Sequence, residues 1–97
     1  MDLPGERQRI LRVFMPDGRV TRMPGKARKR DVVLEAVAQW FEPGERYSEK
    51  EVDAILIRLT AGGEADHVTL RRYLVDRDLL AREAGQYWRS GGWVTGT

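Results

Sequence analysis

The stretch YSEKEVDAILIRL, Tyr47 to Leu59, constrains the fold more than any other part of the chain. Ser48 stands three residues before Glu51, the spacing of a capping box, in which the hydroxyl accepts from the Glu51 amide and the carboxylate reaches back to the Ser48 amide. Tyr47 and Val52 occupy the staple positions that set the entry angle of the chain. Val52, Ile55, Leu56 and Leu59 then recur at i, i+3, i+4 and i+7, a single apolar stripe. This is a helix that must lay one face on a core, so the rest of the chain has to supply that core.

KARKRDVVLEAVAQWF, Lys26 to Phe41, predicts a second helix, with Val33, Leu34, Val37, Trp40 and Phe41 on its inner stripe and Glu-Pro-Gly stopping it. Asp66 predicts the N-cap of a third, His67 to about Asp78, with Leu70, Tyr73 and Leu74 facing inward, Arg72 nearly opposite them and Arg71 on a flank. Thr60 to Asp66, TAGGEAD, reads as the loop between. LLARE and QYWR flank Ala84-Gly85 and predict a small hairpin, to which a short strand near Arg46-Tyr47 adds a third edge. Glu6 to Phe14 reads as a short helix or as a segment ending in a strand. Arg19 to Met23, after the turn chemistry of Pro16-Asp17-Gly18, alternates and reads as a short strand. Trp40, Phe41, Tyr73, Tyr87 and Trp88 are expected in the core rather than on a base-stacking platform.

Three helices followed by a hairpin give an α+β winged helix-turn-helix. The expected organisation is an N-terminal helix/strand extension over residues 1–24, the winged helix-turn-helix domain over 25–90 and a flexible Gly-rich tail over 91–97, in which Trp93 has somewhere to dock. With 97 residues, one modest core is within reach.

The formal charge of +2 conceals an asymmetry. Met1 to Leu34 holds nine Lys/Arg against four Asp/Glu, Glu35 to Asp66 three against eight, and His67 to Thr97 five against three. A basic–acidic–basic chain folds readily into a dipolar object with one positive face, which suits a polyanionic partner. The candidate DNA-binding residues follow from position. Lys26, Arg28, Lys29 and Arg30 crowd a helix start, where like charge is unfavourable unless an anion binds. Arg71 and Arg72 sit where a recognition helix reads base edges, Thr69 and His67 where it meets phosphate or a thymine methyl. Arg82 sits near the wing tip. The alternative for Arg71 is a structural pairing with an acid such as Asp76 or Glu51.

Other chemistries find little support. The chain has no cysteine, which removes disulfides, thiolate metal sites and a Cys nucleophile and suits a cytoplasmic protein. His67 is its one histidine, and no metal-ligand spacing surrounds it, so neither a metal nor another cofactor is expected. Ser48 is used in capping, and no nucleophile–base pair is visible, so an enzyme is the least expected outcome. AGGE lacks the Lys-Ser/Thr of a phosphate-binding loop. No apolar run is long enough for a membrane span, and MDLPGERQRI has no signal-peptide core.

The residues Asp17-Gly18-Arg19, Pro24, Lys26 to Arg30, Phe41-Glu42-Pro43-Gly44, Tyr47 to Val52, Thr69-Leu70-Arg71-Arg72, Leu74-Val75-Asp76 and Tyr87-Trp88 carry a resemblance. From about Leu11 to Arg89 the chain resembles a prokaryotic domain family of unknown function, found alone or fused behind winged-helix repressors of the arsenic-repressor type. The Gly-rich Thr60 to Asp66 connection departs from that pattern. The resemblance implies nucleic-acid binding on fold grounds. The expected function is therefore a DNA-binding transcriptional regulator, alone, as a homodimer or with a partner regulator; the same basic face suits RNA. The alternative is a winged-helix protein–protein interaction module, with Val68, Val75 and Trp93 as its exposed apolar patch.

Overall fold

In the computed structural model, which describes residues 4–91, the capping box closes as the spacing requires. Ser48 Oγ accepts from the Glu51 amide at 3.1 Å, and Glu51 Oε1 accepts from the Ser48 amide at 2.9 Å. Helix α3, Glu49–Thr60, buries Val52, Leu56 and Leu59, with Ile55 half-buried beside them. The helices are numbered in chain order: α1 is Pro4–Phe14, α2 is Ala27–Ala38 and α4 is His67–Asp76. Asp66 caps α4 through the Thr69 amide, and Leu70 and Leu74 are its buried residues.

Helix α4 stops two residues before the expected Asp78. Asp78 takes φ +59°, the left-handed region. The Leu79 amide then donates to the Leu74 carbonyl at 2.9 Å and the Asp78 amide to Val75 at 3.1 Å. That pair of bonds is a Schellman stop, and the burial of both Leu79 and Leu74 supplies its apolar partner contact. The hairpin follows at once. Strands β2, Leu80–Glu83, and β3, Gln86–Arg89, pair antiparallel through a two-residue turn. Ala84 and Gly85 there have φ +51° and +79°, both positive as a type I′ turn demands. Strand β1, Tyr47–Ser48, adds to the other side of β3, giving the order β1-β3-β2. Among the described residues the architecture is thus α+β, with four helices and one small three-stranded antiparallel sheet.

Three expectations are corrected. Helix α2 ends at Ala38 rather than Phe41, because the Gln39, Trp40 and Phe41 amides bond three residues back, to Ala36, Val37 and Ala38. This tighter winding takes Trp40 off the stripe. Trp40 is 58% exposed while Phe41 is fully buried, its ring edge-on to Tyr47 at 5.2 Å. Of the other aromatics placed in the core, Tyr87 is buried, but Tyr73 and Trp88 are only half-buried. Tyr87 and Trp88 are successive strand residues and point to opposite faces of the sheet; Arg46 covers the Trp88 ring at 4.1 Å.

Arg19 to Met23 is not a strand. Its backbone groups are spent on helix ends: the Val20 amide donates to Leu59 at 2.7 Å, and the Thr21 amide to Phe14 at 2.9 Å. The Glu64 amide in turn donates to the Thr21 carbonyl at 2.6 Å. Gly63 makes this closure possible, since a Cβ there would lie 2.6 Å from the Val20 oxygen. The Gly-rich link between α3 and α4 is therefore the loop that clasps residues 20–21. Segment 6–14 resolves as helix, and α1 sends Ile10 and Phe14 into the same core as α2, α3 and α4. The expected tail from residue 92 onward, with Trp93, lies outside the described residues.

Candidate nucleic-acid interface

Leu70 and Leu74 fix which way α4 faces, and the two arginines between them part company. Arg71 lies on the inner flank. Its Nη1 donates to Asp53 Oδ1, its Nη2 stands 3.8 Å from Glu49 Oε1, and its side chain is 18% exposed. Burial pulls the Arg71 pKa down, but the Asp53 hydrogen bond and the Asp53 and Glu49 charges outweigh it, and the net shift is upward. The acid partners are thus Asp53 and Glu49 on α3, not Asp76 or Glu51. Arg72 points outward, is exposed, and makes no ion pair or hydrogen bond among the described residues.

The start of α4 is ordered by Asp66, whose Oδ2 accepts from the Thr69 amide at 3.1 Å and the Thr69 hydroxyl at 3.0 Å. These two bonds, the hydroxyl's first, hold the Asp66 carboxyl below its ordinary pKa. Thr69 keeps its exposed position with its proton committed to the cap, so toward solvent it offers an acceptor oxygen and a methyl. His67, the first residue of α4, is half-buried with Nδ1 4.0 Å from Asp66 Oδ1.

Helix α2 brings its cations alongside. Lys26 occupies the N-cap position with extended backbone and caps nothing with its side chain. Arg28 pairs with Glu6 at 2.7 Å, and Lys29 is exposed. Arg30 lies over the Tyr73 ring of α4 at 4.8 Å, worth about 1 kcal/mol at a partly exposed site. Arg77 grips Asp31 through both Nε and Nη2, at 3.1 and 3.0 Å. These two contacts fasten the first turns of α2 to the Tyr73–Arg77 flank of α4. On the opposite flank Arg82 of β2 joins Val68, Arg71, Arg72 and Val75 around a groove of about 180 Å³, with Asp76 the one carboxylate in its lining. The exposed face of α4 is therefore bordered by cations on both sides: the start of α2 on one, the edge strand β2 on the other.

A second concavity, of about 270 Å³, was not anticipated; Trp40, Ile55 and Leu59 line it, with Arg58 among them. The misplacement of Trp40 on the α2 stripe hid it. Among the described residues no group of three or more His, Asp or Glu side chains is placed to hold a metal ion. No described helix is long and apolar enough to cross a membrane.

Compared with known proteins, residues 19–89 match the family model described as "Uncharacterized protein conserved in bacteria (DUF2087)", and the chain belongs to that family. The match takes in α2, α3, α4 and all three strands and leaves α1 outside it. No curated protein and no solved structure matches the chain.

Proposed function

We propose that this family member is a winged helix-turn-helix protein that binds duplex DNA as a transcriptional regulator. The order α2, α3, α4 and then a hairpin, with β1 completing the sheet, supports the winged reading. So does the resemblance to domains fused behind winged-helix repressors. The observation that carries the DNA reading is Arg72, an unpartnered cation on the outward face of a capped helix, with cationic borders on both sides.

In this reading α4 enters the major groove. Arg72 is the base reader, able to meet guanine O6 and N7 with two donors, a contact worth roughly 1–3 kcal/mol of discrimination. Arg71 acts as a positioning residue that clamps α4 to α3. Thr69, its proton committed to Asp66, meets a thymine methyl, and His67 meets backbone. Lys26, Arg28, Lys29 and Arg30 dock on phosphates from one side, and Arg82 does so from the wing. A homodimer would double these contacts and set a half-site spacing.

The test is binding of fluorescent random-sequence duplex across a salt titration. Wild type should give a log K–log[salt] slope of several units, about 0.9 per phosphate contact. On sequences selected by wild type, Arg72→Ala should lose roughly tenfold or more. A second reading, a protein-docking module, is favoured by Trp40, 58% exposed beside Ile55 and Leu59. Absence of duplex binding even at low salt would sink the DNA reading and leave that one.

A further inference from the structure

Helix α1 pairs Arg7 with Glu35 and Glu6 with Arg28 but leaves Arg9 without an ion pair among the described residues. Its sequence PGERQRILRVF places Ile10 and Phe14 one turn apart, and both are buried. Arg9 and Val13 are consequently left on the outer side, Val13 59% exposed. Arg22, in the connection that the α1 and α3 ends hold down, lays its guanidinium 4.9 Å from the centre of the Phe14 ring. Lys29 projects from the first turn of α2. These three cations come from three separate elements and line one groove of about 450 Å³, floored by Ile10, Val13 and Phe14.

The charges there are uncompensated. Arg9, Arg22 and Lys29 make no ion pair among the described residues. Glu6 is the one carboxylate among the groove's lining residues, and Arg28 already holds it at 2.7 Å. Three like charges around a shared concavity repel one another, and an anion seated between them adds an attraction to each that offsets the repulsion. The apolar floor adds a second requirement: the ligand should carry a non-polar part beside its negative charge. A phosphodiester backbone has both, with phosphates for the cations and deoxyribose for Val13 and the ring edge of Phe14.

We propose that the groove between α1 and α2 binds the phosphodiester backbone of DNA, as a contact separate from the α4 face and built partly from residues outside the family match. This rests on the DNA reading above. It assigns Arg9 and Arg22 as phosphate ligands, with Lys29 shared between the groove and the start of α2.

The experiment compares salt slopes on random-sequence duplex for wild type, Arg9→Gln/Arg22→Gln and Arg9→Lys/Arg22→Lys, and affinity on wild-type-selected sequences for Arg72→Ala, each variant first checked for an unchanged far-ultraviolet spectrum and melt. The lysine pair separates charge from the stacking of Arg22 on Phe14. The expected result is a slope lower by about 2 units in the glutamine pair, at about 0.9 per lost phosphate contact, and a wild-type slope in the lysine pair. If the glutamine pair keeps the wild-type slope while Arg72→Ala is weakened, the groove proposal falls and the α4 reading stands. If the glutamine pair loses slope while Arg72→Ala binds as wild type, the groove stands and the α4 reading falls. If wild type does not bind duplex at any salt concentration, both fall.

Discussion

Helices α3 and α2 begin in opposite ways. The start of α3 is saturated: Ser48 and Glu51 cap each other, and Glu49 and Glu51 put negative charge on the positive end of the helix dipole. Arg71 and the Tyr87 hydroxyl then come to Glu49 from α4 and β3, with Arg71 also bound to Asp53. The start of α2 has no side-chain cap and no acid in its first turn. Lys26, Arg28, Lys29 and Arg30 stand where the dipole disfavours them; Glu6 of α1 pairs with Arg28, and Asp31, the acid next in sequence, is taken by Arg77. A chain that builds one helix start so completely has the means to build the other. The contrast teaches that stability was satisfied at α3, whereas the start of α2 suits a partner that brings the missing negative charge.

The largest expected effect tests the saturated side. Arg71→Ala leaves Asp53, only 27% exposed, without its cation. Hydrogen bonds to charged groups contribute about 1.5–3 kcal/mol, so the variant should lose about 2 kcal/mol in denaturant unfolding. Arg72→Ala, one residue on, should stay within about 0.5 kcal/mol of wild type. Equal stability of the two variants would erase the distinction between inward and outward arginines on which the α4 face depends.

How much of this was legible in the sequence follows from how local each cause is. The α3 cap, the Asp66 cap and the Ala84-Gly85 turn involve residues within three positions of each other, and each formed as read. The alternation of Arg19 to Met23 is equally local, but a strand also needs a partner strand. Its amides instead met the carbonyls of Phe14 and Leu59, partners 7 and 39 residues away. Trp40 was misplaced because a regular 100° step was carried through a turn that winds more tightly. For Arg71 the sequence offered the correct kind of partner but the wrong ones, since the choice among Glu49, Glu51 and Asp53 depends on how α4 crosses α3. The groove shared by Arg9, Arg22 and Lys29 has no sequence signature, because three elements assemble it.

Two substitutions exchange the characters of the two helix starts. Ser48→Ala removes the α3 cap and should cost about 1 kcal/mol in thermal or denaturant melts, with the salt slope on DNA unchanged. Lys26→Asp installs a cap at a residue whose φ −83° and ψ 133° already suit one. The new carboxylate can accept from the amides of Arg28 or Lys29, and the gain should be about 0.5–1 kcal/mol. The same change should lower the salt slope by about 1 unit, through loss of one phosphate contact. A more stable protein that binds DNA more weakly is the signature of a helix start kept unfavourable for a ligand; a stabilised variant with unchanged binding would remove α2 from the interface.

The smallest effect concerns the third helix start, where Asp66 supplies α4 with the cap that α2 lacks. The Thr69 hydroxyl, then the Thr69 amide, hold its carboxyl below the ordinary 3.8. The sign is that of a depressed acid: its stabilisation is fully present above the ordinary carboxylate range and is lost as pH falls through the lower folded-state value. Asp66→Asn keeps an acceptor for Thr69 but cannot titrate. The stability gap between wild type and Asp66→Asn should therefore stay constant from neutral pH down to the ordinary carboxylate range. Below it, wild type should lose ground to the variant, read from melts in a pH series. A gap independent of pH through the acid range would mean that the Asp66 charge contributes nothing to the cap. At neutral pH the same variant removes one negative charge beside the proposed DNA face while keeping the helix start. Duplex affinity should therefore rise slightly, opposite in direction to Lys26→Asp, which adds a negative charge at the other helix start of the proposed interface.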